Sequence, residues 1–419
     1  MTLDLTTIRA QFPSLDRDAI FFDNPGGTQI ARQSLERINR YLLECNANHG
    51  GAFATSQASD AVLDEAHQAM ADFFNAASPQ EIIFGNNMTS LTLHISRSLA
   101  RTWQAGDEIV VTRLDHDANV TPWVLAAQDR GCRVNWVDFD LEDGTLMLDT
   151  LQKALERKPK LLAVGYASNS LGTINPVGRI IQMAHQAGAL VYLDAVQYAP
   201  HGPIDVQKLD CDFLVASSYK FFGNHSGILY GKRQLLEDLT AYKVRPATDS
   251  LPGKFETGTQ NHEGMAGVLG AVEYFEWLGN TFGGEHAEAW REKGFSGRRL
   301  RLKQAMSAIR SYELELNRSL LEALESIPGL RLYGLTDRRR LEERVATFSF
   351  RLKDIHPRKL AEALATHNIY TWDGNYYALN VSERLGVEDS GGMLRVGAVH
   401  YNTLQEVERL KSALLTIGA

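Results

Sequence analysis

The chain has 419 residues, of which 44% are hydrophobic and 22% are charged, and this composition can support a large core divided between two lobes. The formal net charge of -8 argues against a nucleic acid or an anionic membrane as a partner. No stretch reaches the roughly 18 uninterrupted apolar residues of a membrane span, and the N-terminal residues lack the apolar region of a secretory signal.

The three cysteines, Cys45, Cys132 and Cys211, lie far apart in the chain and lack the spacing of a metal site. Reduced thiols that fill the core are therefore predicted, together with a cytoplasmic location and no bound metal.

Short β-rich runs alternate with helical patterns through the first two-thirds of the chain. Strands are predicted at 81–84, 108–112, 133–138, 160–166, 190–195, 212–217 and 228–231. A helical pattern at 176–188 has Pro176 near its start and Gly188 at its end. Because apolar strands that alternate with helices are buried on both faces, we predict an α/β fold with a seven-stranded, mainly parallel sheet covered by helices on both sides.

After about residue 263 the pattern changes to long helical runs at 264–279 and 298–327. Strands near 330–334, 346–350 and 393–397 then predict a smaller C-terminal α/β domain, beside which an N-terminal helix of about fifteen residues packs. The predicted domains are an N-terminal segment at 1–20, a large domain at 21–265, and linker helices with the small domain at 266–419.

Lys220 follows the apolar run 213–216 and precedes Phe221 and Phe222. A lysine after a strand is usually a solvated loop residue, but these aromatic neighbours favour an amine held in an apolar site. Such an amine has a lowered pKa and becomes a nucleophile that forms a Schiff base with a carbonyl.

Other polar residues are predicted at the same edge, because ligands of such sheets bind at the carboxyl ends of the strands. Asp194 ends a strand and is either a cap or the partner of a protonated ring nitrogen. The segment 84–92 enters a helix at Thr89, which is typical of a phosphate site, although any polar helix cap looks similar. His116 is either structural or stacks on an aromatic ring or shuttles protons.

Eight segments in order resemble the class V aminotransferase superfamily, in its cysteine desulfurase and selenocysteine lyase branch. They are 22-FDNPGGTQ-29, 84-FGNNMT-89, 115-DHDANVTPW-123, 167-ASNSLGTINPV-177, 192-YLDAVQYAPHGPIDV-206, 217-SSYKFFG-223, 255-FETGTQN-261 and 394-LRVGAVHYNT-403. The resemblance implies pyridoxal 5'-phosphate as cofactor, the fold type I architecture of its transferases, and a homodimer with its active sites at the interface.

The resemblance also implies roles for individual residues. Lys220 would be the Schiff-base lysine, Asp194 would pair with the pyridine nitrogen, Gln197 would donate to the ring oxygen, and His116 would stack on the ring. The phosphate ligands implied are the Met88 backbone, Thr89, Ser217 and Thr259 of the other subunit, and the Tyr219 hydroxyl is a further candidate. Asn169 would line the substrate side of the ring, and Arg395 would bind the substrate carboxylate through a bidentate fork rather than form a surface ion pair.

Two features depart from the desulfurase pattern. Desulfurases carry a nucleophilic cysteine in the C-terminal half, whereas this chain has none after Cys211. The corresponding region is 369–381, where Trp372, Tyr376 and Tyr377 indicate either an aromatic-walled pocket or ordinary domain packing. Tyr219 stands directly before the lysine, where desulfurases have histidine. A tyrosine at this position resembles kynureninase.

An amino acid bound as an external aldimine would have its carboxylate on Arg395 and its α-proton within reach of Lys220. Without a thiol nucleophile, we predict β-elimination of the kind catalysed by C–S lyases, without a protein persulfide. Desulfurase-like sulfur transfer, kynureninase-like hydrolysis, transamination and racemisation share the first steps and remain alternatives. A non-enzymatic binding or scaffold role is a further alternative, although it would be expected to lack Lys220 or Asp194.

Overall fold

The computed structural model describes residues 3–419. Its strands are β1 Ile20–Phe21, β2 Ile82–Gly85, β3 Glu108–Thr112, β4 Arg133–Val137, β5 Leu161–Gly165, β6 Leu190–Asp194, β7 Phe213–Ser217, β8 Gly227–Gly231, β9 Leu330–Tyr333, β10 Thr347–Leu352, β11 Ile369–Tyr370, β12 Trp372–Gly374 and β13 Met393–Gly397. Its helices are α1 Leu5–Arg9, α2 Arg32–Glu44, α3 Ala54–Phe74, α4 Met88–Ala100, α5 Thr121–Arg130, α6 Leu148–Leu155, α7 Val177–Gln186, α8 Val206–Leu209, α9 Arg233–Asp238, α10 His262–Phe282, α11 Ala287–Arg291, α12 Gly297–Glu325, α13 Pro357–Ala365, α14 Leu379–Arg384 and α15 Leu404–Ile417.

Within residues 3–419, seven strands form the large sheet in the order β2-β8-β7-β6-β5-β3-β4. Strand β8 is antiparallel to both of its neighbours, and the pairs from β7 to β4 are parallel. The predicted seven-stranded, mainly parallel sheet is therefore confirmed. The two edge strands of the parallel part, β7 and β4, are separated by β6, β5 and β3, whose carboxyl ends all lie along one edge.

Hydrophobic residues on successive positions of the central strands face opposite sides of the large sheet. Leu162, Val164 and Leu214 belong to one core cluster, while Ala163 and Val215 belong to another. A strand that is apolar at every position can be buried on both faces, which is why the sheet is covered by helices on both sides. None of the helices in the described part of the chain combines the length and apolarity needed to cross a membrane.

The C-terminal strands form a separate antiparallel sheet in the order β12-β13-β10-β9. Its own core includes Leu320 of α12, Phe348 of β10, Leu360 of α13 and Leu410 of α15. The domain boundaries given above stay a prediction.

The prediction of a fifteen-residue N-terminal helix is wrong. Helix α1 ends at Arg9, and only a short 3-10 turn, Pro13–Leu15, follows. Proline lacks the backbone N–H that a helix interior requires, and its ring clashes with the preceding turn, so Pro13 can begin a helical turn but cannot continue α1. The Arg9 guanidinium contacts the C-terminal part of the chain, where it donates to the Tyr401 carbonyl at 2.8 Å and pairs with Glu406 at 2.9 Å.

Candidate active site

The carboxyl ends of β3, β5, β6 and β7 bring the predicted residues to one edge of the large sheet. His116 follows β3, Asn169 follows β5, Asp194 ends β6, and Lys220 follows β7. Two adjoining cavities lie there, with volumes of about 940 Å³ and about 60 Å³. His116, Asn169, Lys220, Thr89 and Tyr219 line both cavities.

Lys220 is buried, with 8% of its surface exposed, and lies in the short 3-10 turn that follows β7. Its amine donates a hydrogen bond to the Pro25 carbonyl and lies 5.1 Å from the centre of the Tyr219 ring. Burial lowers the pKa of Lys220 to about 7, and the charge on Arg395 acts in the same direction. An amine with this pKa is partly neutral near pH 7 and can act as a nucleophile or as a base.

Asp194 is buried at the end of β6, where its Oδ1 accepts a hydrogen bond from the Val196 amide at 2.9 Å. Burial raises the pKa of Asp194 to about 6, and this effect is opposed by the Val196 hydrogen bond and the charge on Lys220. A carboxylate buried in this way is stabilised by a positive charge placed beside it. A protonated ring nitrogen would supply such a charge.

Asp115 is a buried carboxyl group of the site to which the sequence analysis gave no role. It accepts hydrogen bonds from the Thr112 hydroxyl at 2.9 Å, the Asn119 amide at 2.8 Å and the Gly165 backbone at 2.9 Å. Burial raises the pKa of Asp115 to about 7, and the nearby charge of Asp194 contributes in the same direction. A sequence signal existed, because Asp115 directly precedes His116 after a strand, but the contact with Gly165 depends on long-range pairing.

The predicted phosphate ligands surround the beginning of α4. The helix is capped by Asn87, whose side chain accepts from the Ser90 amide at 2.9 Å. The Met88 amide donates to the Ser217 hydroxyl at 3.3 Å, so that these two predicted ligands are adjacent, and Thr89 is exposed beside them. A helix N-terminus with flanking hydroxyl groups fits a phosphate monoester.

His116 presents a neutral ring to the cavity. Its Nδ1 accepts a hydrogen bond from the Ala118 amide at 3.0 Å. Burial lowers the pKa of His116 to about 4, and the charges of Lys220 and Arg395 lower it in the same direction. The Tyr377 ring stacks on His116 with a centroid distance of 5.6 Å and an interplanar angle of 16°. A flat neutral imidazole is suited to stacking on a second aromatic ring.

Arg395 lies in β13 with 3% of its surface exposed. Its guanidinium carbon lies 4.2 Å from the centre of the Tyr376 ring, and its Nη1 donates to the Asn169 carbonyl at 2.8 Å. The Arg395 Nε and the Asn169 Oδ1 are buried atoms that lack a hydrogen-bond partner among the described residues. A buried donor without a partner is costly, so the guanidinium is well placed to receive a carboxylate from a ligand.

The segment that carries Tyr376 and Tyr377 has an unusual backbone, because both residues have positive φ angles of 56° and 58°. Non-glycine residues in this region cost about 1–2 kcal/mol each, so other contacts must hold them there. The Asn169 side chain donates to the Tyr376 carbonyl at 2.9 Å, and the Asp117 amide donates to the Tyr377 carbonyl at 2.6 Å. The C-terminal segment is thereby fixed against the large domain.

Two other predicted residues differ in their position relative to the cavities. Gln197 is buried and lines the smaller cavity, where its side chain donates to the Thr347 hydroxyl at 3.2 Å. Thr259 is exposed in the loop before α10 and lines neither cavity of its own chain. Its predicted role across a subunit interface stays a prediction.

The residues present fit pyridoxal 5'-phosphate. They supply an amine with a lowered pKa, a buried carboxylate suited to a ring cation, a neutral ring for stacking and a helix N-terminus for an anion. The buried Arg395 Nε and Asn169 Oδ1, which have no partner among the described residues, belong to side chains that line the larger cavity.

Comparison with known proteins agrees with this fit. A family model described as aminotransferase class-V matches residues 20–295 and 298–410. The aminotransferase-like protein FGM3 of Gibberella zeae is 32% identical over 422 residues, which cover 99% of this chain and 98% of that protein. A cysteine desulfurase of Pectobacterium atrosepticum is 32% identical over 438 residues, which cover 100% of this chain and 98% of that protein.

Solved structures show the same architecture. The apo structure of a cysteine desulfurase from Thermococcus onnurineus NA1 has a TM-score of 0.87 at 26% identity and covers 100% of this chain and 98% of that chain. The cysteine desulfurase CsdA of Escherichia coli has a TM-score of 0.83 at 27% identity, with 100% of both chains covered.

The similarity extends over the large sheet and the C-terminal strands alike, and it defines the protein as an enzyme that depends on pyridoxal phosphate. The chain belongs to the class-V aminotransferase family. The predicted cofactor and the predicted enzyme class are thereby confirmed, whereas the roles of individual site residues stay predictions.

Proposed function

We propose that the protein is a lyase that acts on an amino acid by β-elimination and forms no protein persulfide. One observation carries this proposal. Among residues 3–419, no cysteine lines either of the two cavities, whereas Lys220, Asp194 and Arg395 do. Sulfur transfer through a protein persulfide requires a cysteine that can reach the substrate, and none of the described residues that line these cavities is a cysteine.

Neither the positions nor the pKa values of the three cysteines favour a role as sulfur acceptor. Cys45 is buried at the end of α2, Cys211 is buried before β7, and Cys132 is partly exposed before β4. Burial raises the pKa of all three thiols above the ordinary value. Because the thiolate is the reactive form of cysteine, these groups are poor nucleophiles.

The proposed reaction assigns one task to each residue. When bound, pyridoxal phosphate supplies an electron sink for the charge that develops at the substrate α-carbon. Asp194 holds the positive charge of the ring nitrogen, and His116 packs against the ring. Arg395 binds the substrate carboxylate and thereby orients the Cα–H bond, and Lys220 removes the α-proton as a neutral amine.

The bond changes of the elimination balance without a second reactant except water. The Cα–H bond breaks and its proton goes to Lys220, a double bond forms between Cα and Cβ, and the bond from Cβ to the leaving group breaks. The leaving group departs with that electron pair. The released enamine is hydrolysed to a keto acid and ammonia.

We also propose that the protein is a homodimer in which Thr259 reaches the phosphate site of the partner. The support is the exposed position of Thr259, outside the cavities of its own chain. Light scattering measures the mass of the protein, and Thr259→Ala is expected to weaken cofactor binding without dissociating the dimer. A monomer, or unchanged cofactor affinity in the variant, would contradict this arrangement.

Sulfur transfer is the second candidate function, because relatives along the whole chain are named cysteine desulfurases. Product analysis with an amino acid that carries a β leaving group separates the two candidates. Keto acid and ammonia in equal amounts support elimination, whereas alanine with a protein-bound persulfide supports sulfur transfer. Alanine with a carboxylic acid from a kynurenine-like substrate would instead favour the hydrolase.

A variant that lacks all three cysteines provides the matched control. With Cys45, Cys132 and Cys211 replaced by alanine, turnover is expected to stay within a few-fold of the unmodified enzyme once the folded fraction has been measured. A loss of activity in the well-folded variant would overturn elimination without a protein thiol.

A further inference from the structure

The larger cavity extends well beyond the residues that hold an amino acid backbone. Its volume of about 940 Å³ lies near the upper end of the roughly 300–1,000 Å³ that is typical of pockets for drug-sized ligands. The cofactor and a small amino acid would leave part of this space unfilled. The residues at its outer end therefore bear on which side chain the substrate carries.

Two groups of apolar side chains, which we call the apolar walls, line this part of the cavity. Trp372 and Tyr377 line it from the C-terminal domain, and Leu93, Pro122 and Leu125 line it from α4 and α5. Trp372 is 49% exposed, Leu125 is 48% exposed and Tyr377 is 75% exposed. Large apolar side chains that remain exposed around a cavity mark a binding surface rather than a core.

Trp372 has a fixed position next to the predicted carboxylate-binding group. It pairs directly with Arg395 across β12 and β13, so the two side chains extend from the same face of the small sheet. The indole also packs on the backbone of Gly26, where a Cβ atom would overlap the indole ring. A substrate whose carboxylate is bound by Arg395 thus has the indole beside it.

The charged groups at this end of the cavity already have partners. Asp373 forms an ion pair with Arg358 at 3.2 Å, and Asp117 accepts a hydrogen bond from the Thr121 hydroxyl at 2.7 Å. Glu388 accepts hydrogen bonds from the side chains of Asn375 and Ser382. Each of these carboxylates therefore has a partner within the protein, and Asp373 has a cationic one.

From this arrangement we infer that the substrate is an amino acid whose side chain ends in an aromatic or extended apolar group, which packs against Trp372 and Leu125. The inference rests on the proposed function, because it takes the substrate to be an amino acid. It concerns the outer walls alone, however, and a separate measurement of binding can test it.

Binding is measured by titrating the enzyme loaded with pyridoxal phosphate with L-alanine and with L-phenylalanine, and by following the cofactor absorbance. These ligands differ by one phenyl group. Burial of that group is expected to make L-phenylalanine bind about 10- to 100-fold more tightly. Equal affinities would overturn the inference.

Variants of the two walls locate the preference. Trp372→Ala and Leu125→Ala are each expected to reduce the preference for L-phenylalanine about tenfold, whereas Trp372→Phe retains most of it. Leu415→Ala is the matched control, because Leu415 is 42% exposed and lies in α15 outside the cavities. Unchanged preferences in both wall variants would overturn the inference. A change in the oligomeric mass of either wall variant would also overturn it, because the walls would then contact a partner subunit.

Turnover of S-methyl-L-cysteine and S-benzyl-L-cysteine separates this inference from the proposed reaction. Both substrates carry a thiolate leaving group and differ in the phenyl ring. Preferential binding of L-phenylalanine, without keto acid from either substrate, would refute elimination and support the inference that the apolar walls bind the substrate side chain. Efficient elimination from both substrates at equal kcat/KM would support elimination and refute the inference that the apolar walls select the side chain. If no amino acid altered the cofactor absorbance, both proposals would fail.

Discussion

The edge of the large sheet and the C-terminal segment 372–377 form two sides of one cavity, but they are built differently. Lys220 and Asp194 are buried at the ends of paired strands. Trp372 is about half exposed and Tyr377 is largely exposed. Tyr377 also has a positive φ angle, and contacts with the large domain hold its backbone in this conformation. From this difference we propose that the large sheet carries the chemistry and that the segment 372–377 sets the selectivity.

The electrostatics of the two sides differ in the same way. Burial lowers the pKa of Lys220 and raises the pKa of Asp194, so the sheet edge holds groups whose protonation is poised for chemistry. The acids of the C-terminal side are engaged in ion pairs and hydrogen bonds, as Asp373 is with Arg358. Variants of the sheet edge should therefore change the chemical step, and variants of the segment should change which ligand is bound.

The largest effect is expected for Lys220→Ala. Loss of the amine removes both the Schiff-base donor and the proposed base, and we expect turnover to fall by about 10³-fold or more. The absorbance band of the Schiff base should disappear while cofactor binding through other contacts persists. Near-normal turnover in this variant would refute the proposed role of the sheet edge.

Lys303 is a matched control for Lys220. It is also buried, and burial lowers the pKa of Lys303 to about 7, but it lies in α12 outside the cavities. Its amine donates to the Phe73 and Ile204 carbonyls. Lys303→Met should cost about 1–3 kcal/mol of unfolding free energy and leave the turnover per folded enzyme unchanged.

The second prediction concerns Asp194 and the stability of the protein without cofactor. Because burial raises the pKa of Asp194 from 3.8 to about 6, the folded state holds a proton that the unfolded state has lost between these pH values. This contribution to stability is present below about pH 4 and is lost as the pH rises through about 6. Relative to the unmodified protein, Asp194→Asn should gain about 2 kcal/mol between pH 4 and pH 7.

Urea unfolding of the two proteins at both pH values measures this difference, and Asp249→Asn serves as an exposed control outside the cavities. Added pyridoxal phosphate should reverse the sign, because the variant cannot pair with a ring cation. A difference that is independent of pH would show that Asp194 does not titrate in this range.

Much of the sheet edge could be predicted from the sequence, because local signals determine it. Apolar runs with clear ends predicted the strands; Asp194 is the last residue of one strand, and Lys220 lies in the short turn that follows another. The backbone of Tyr376 and Tyr377 could not be predicted in this way. Their positive φ angles depend on hydrogen bonds from Asn169 and from the Asp117 backbone, both distant in sequence.

The failures at other positions have the same physical origin. The presence of Asp115 at the site was missed because its contact with Gly165 joins the ends of two strands that are about fifty residues apart in the chain. The N-terminal helix was predicted too long because its apolar residues outweighed Pro13, which cannot lie in a helix interior.

The third prediction concerns Arg395, which lies between the two sides. Arg395→Ala should lower kcat/KM by about 10- to 100-fold, because it removes charge-assisted hydrogen bonds to the substrate carboxylate. Arg395→Lys should recover only part of this loss, since an ammonium group cannot reproduce the planar fork. Steady-state kinetics with an amino acid and with its carboxamide provide the test. An equal loss for both substrates would show that the guanidinium does not bind the carboxylate.

The smallest effect is expected at Tyr377, which joins the two sides by stacking on His116 at a centroid distance of 5.6 Å. Tyr377→Ala removes the stacked ring and should weaken cofactor or substrate binding about 2- to 10-fold, as expected for an aromatic pair worth about 0.5–1.5 kcal/mol. Tyr377→Phe keeps the ring and should behave like the unmodified enzyme. Because the Tyr377 backbone contact with Asp117 persists in both variants, a difference between them reports on the ring alone. Equal weakening in both variants would assign the effect to the Tyr377 hydroxyl group. Stacking between Tyr377 and His116 would then make no contribution to binding.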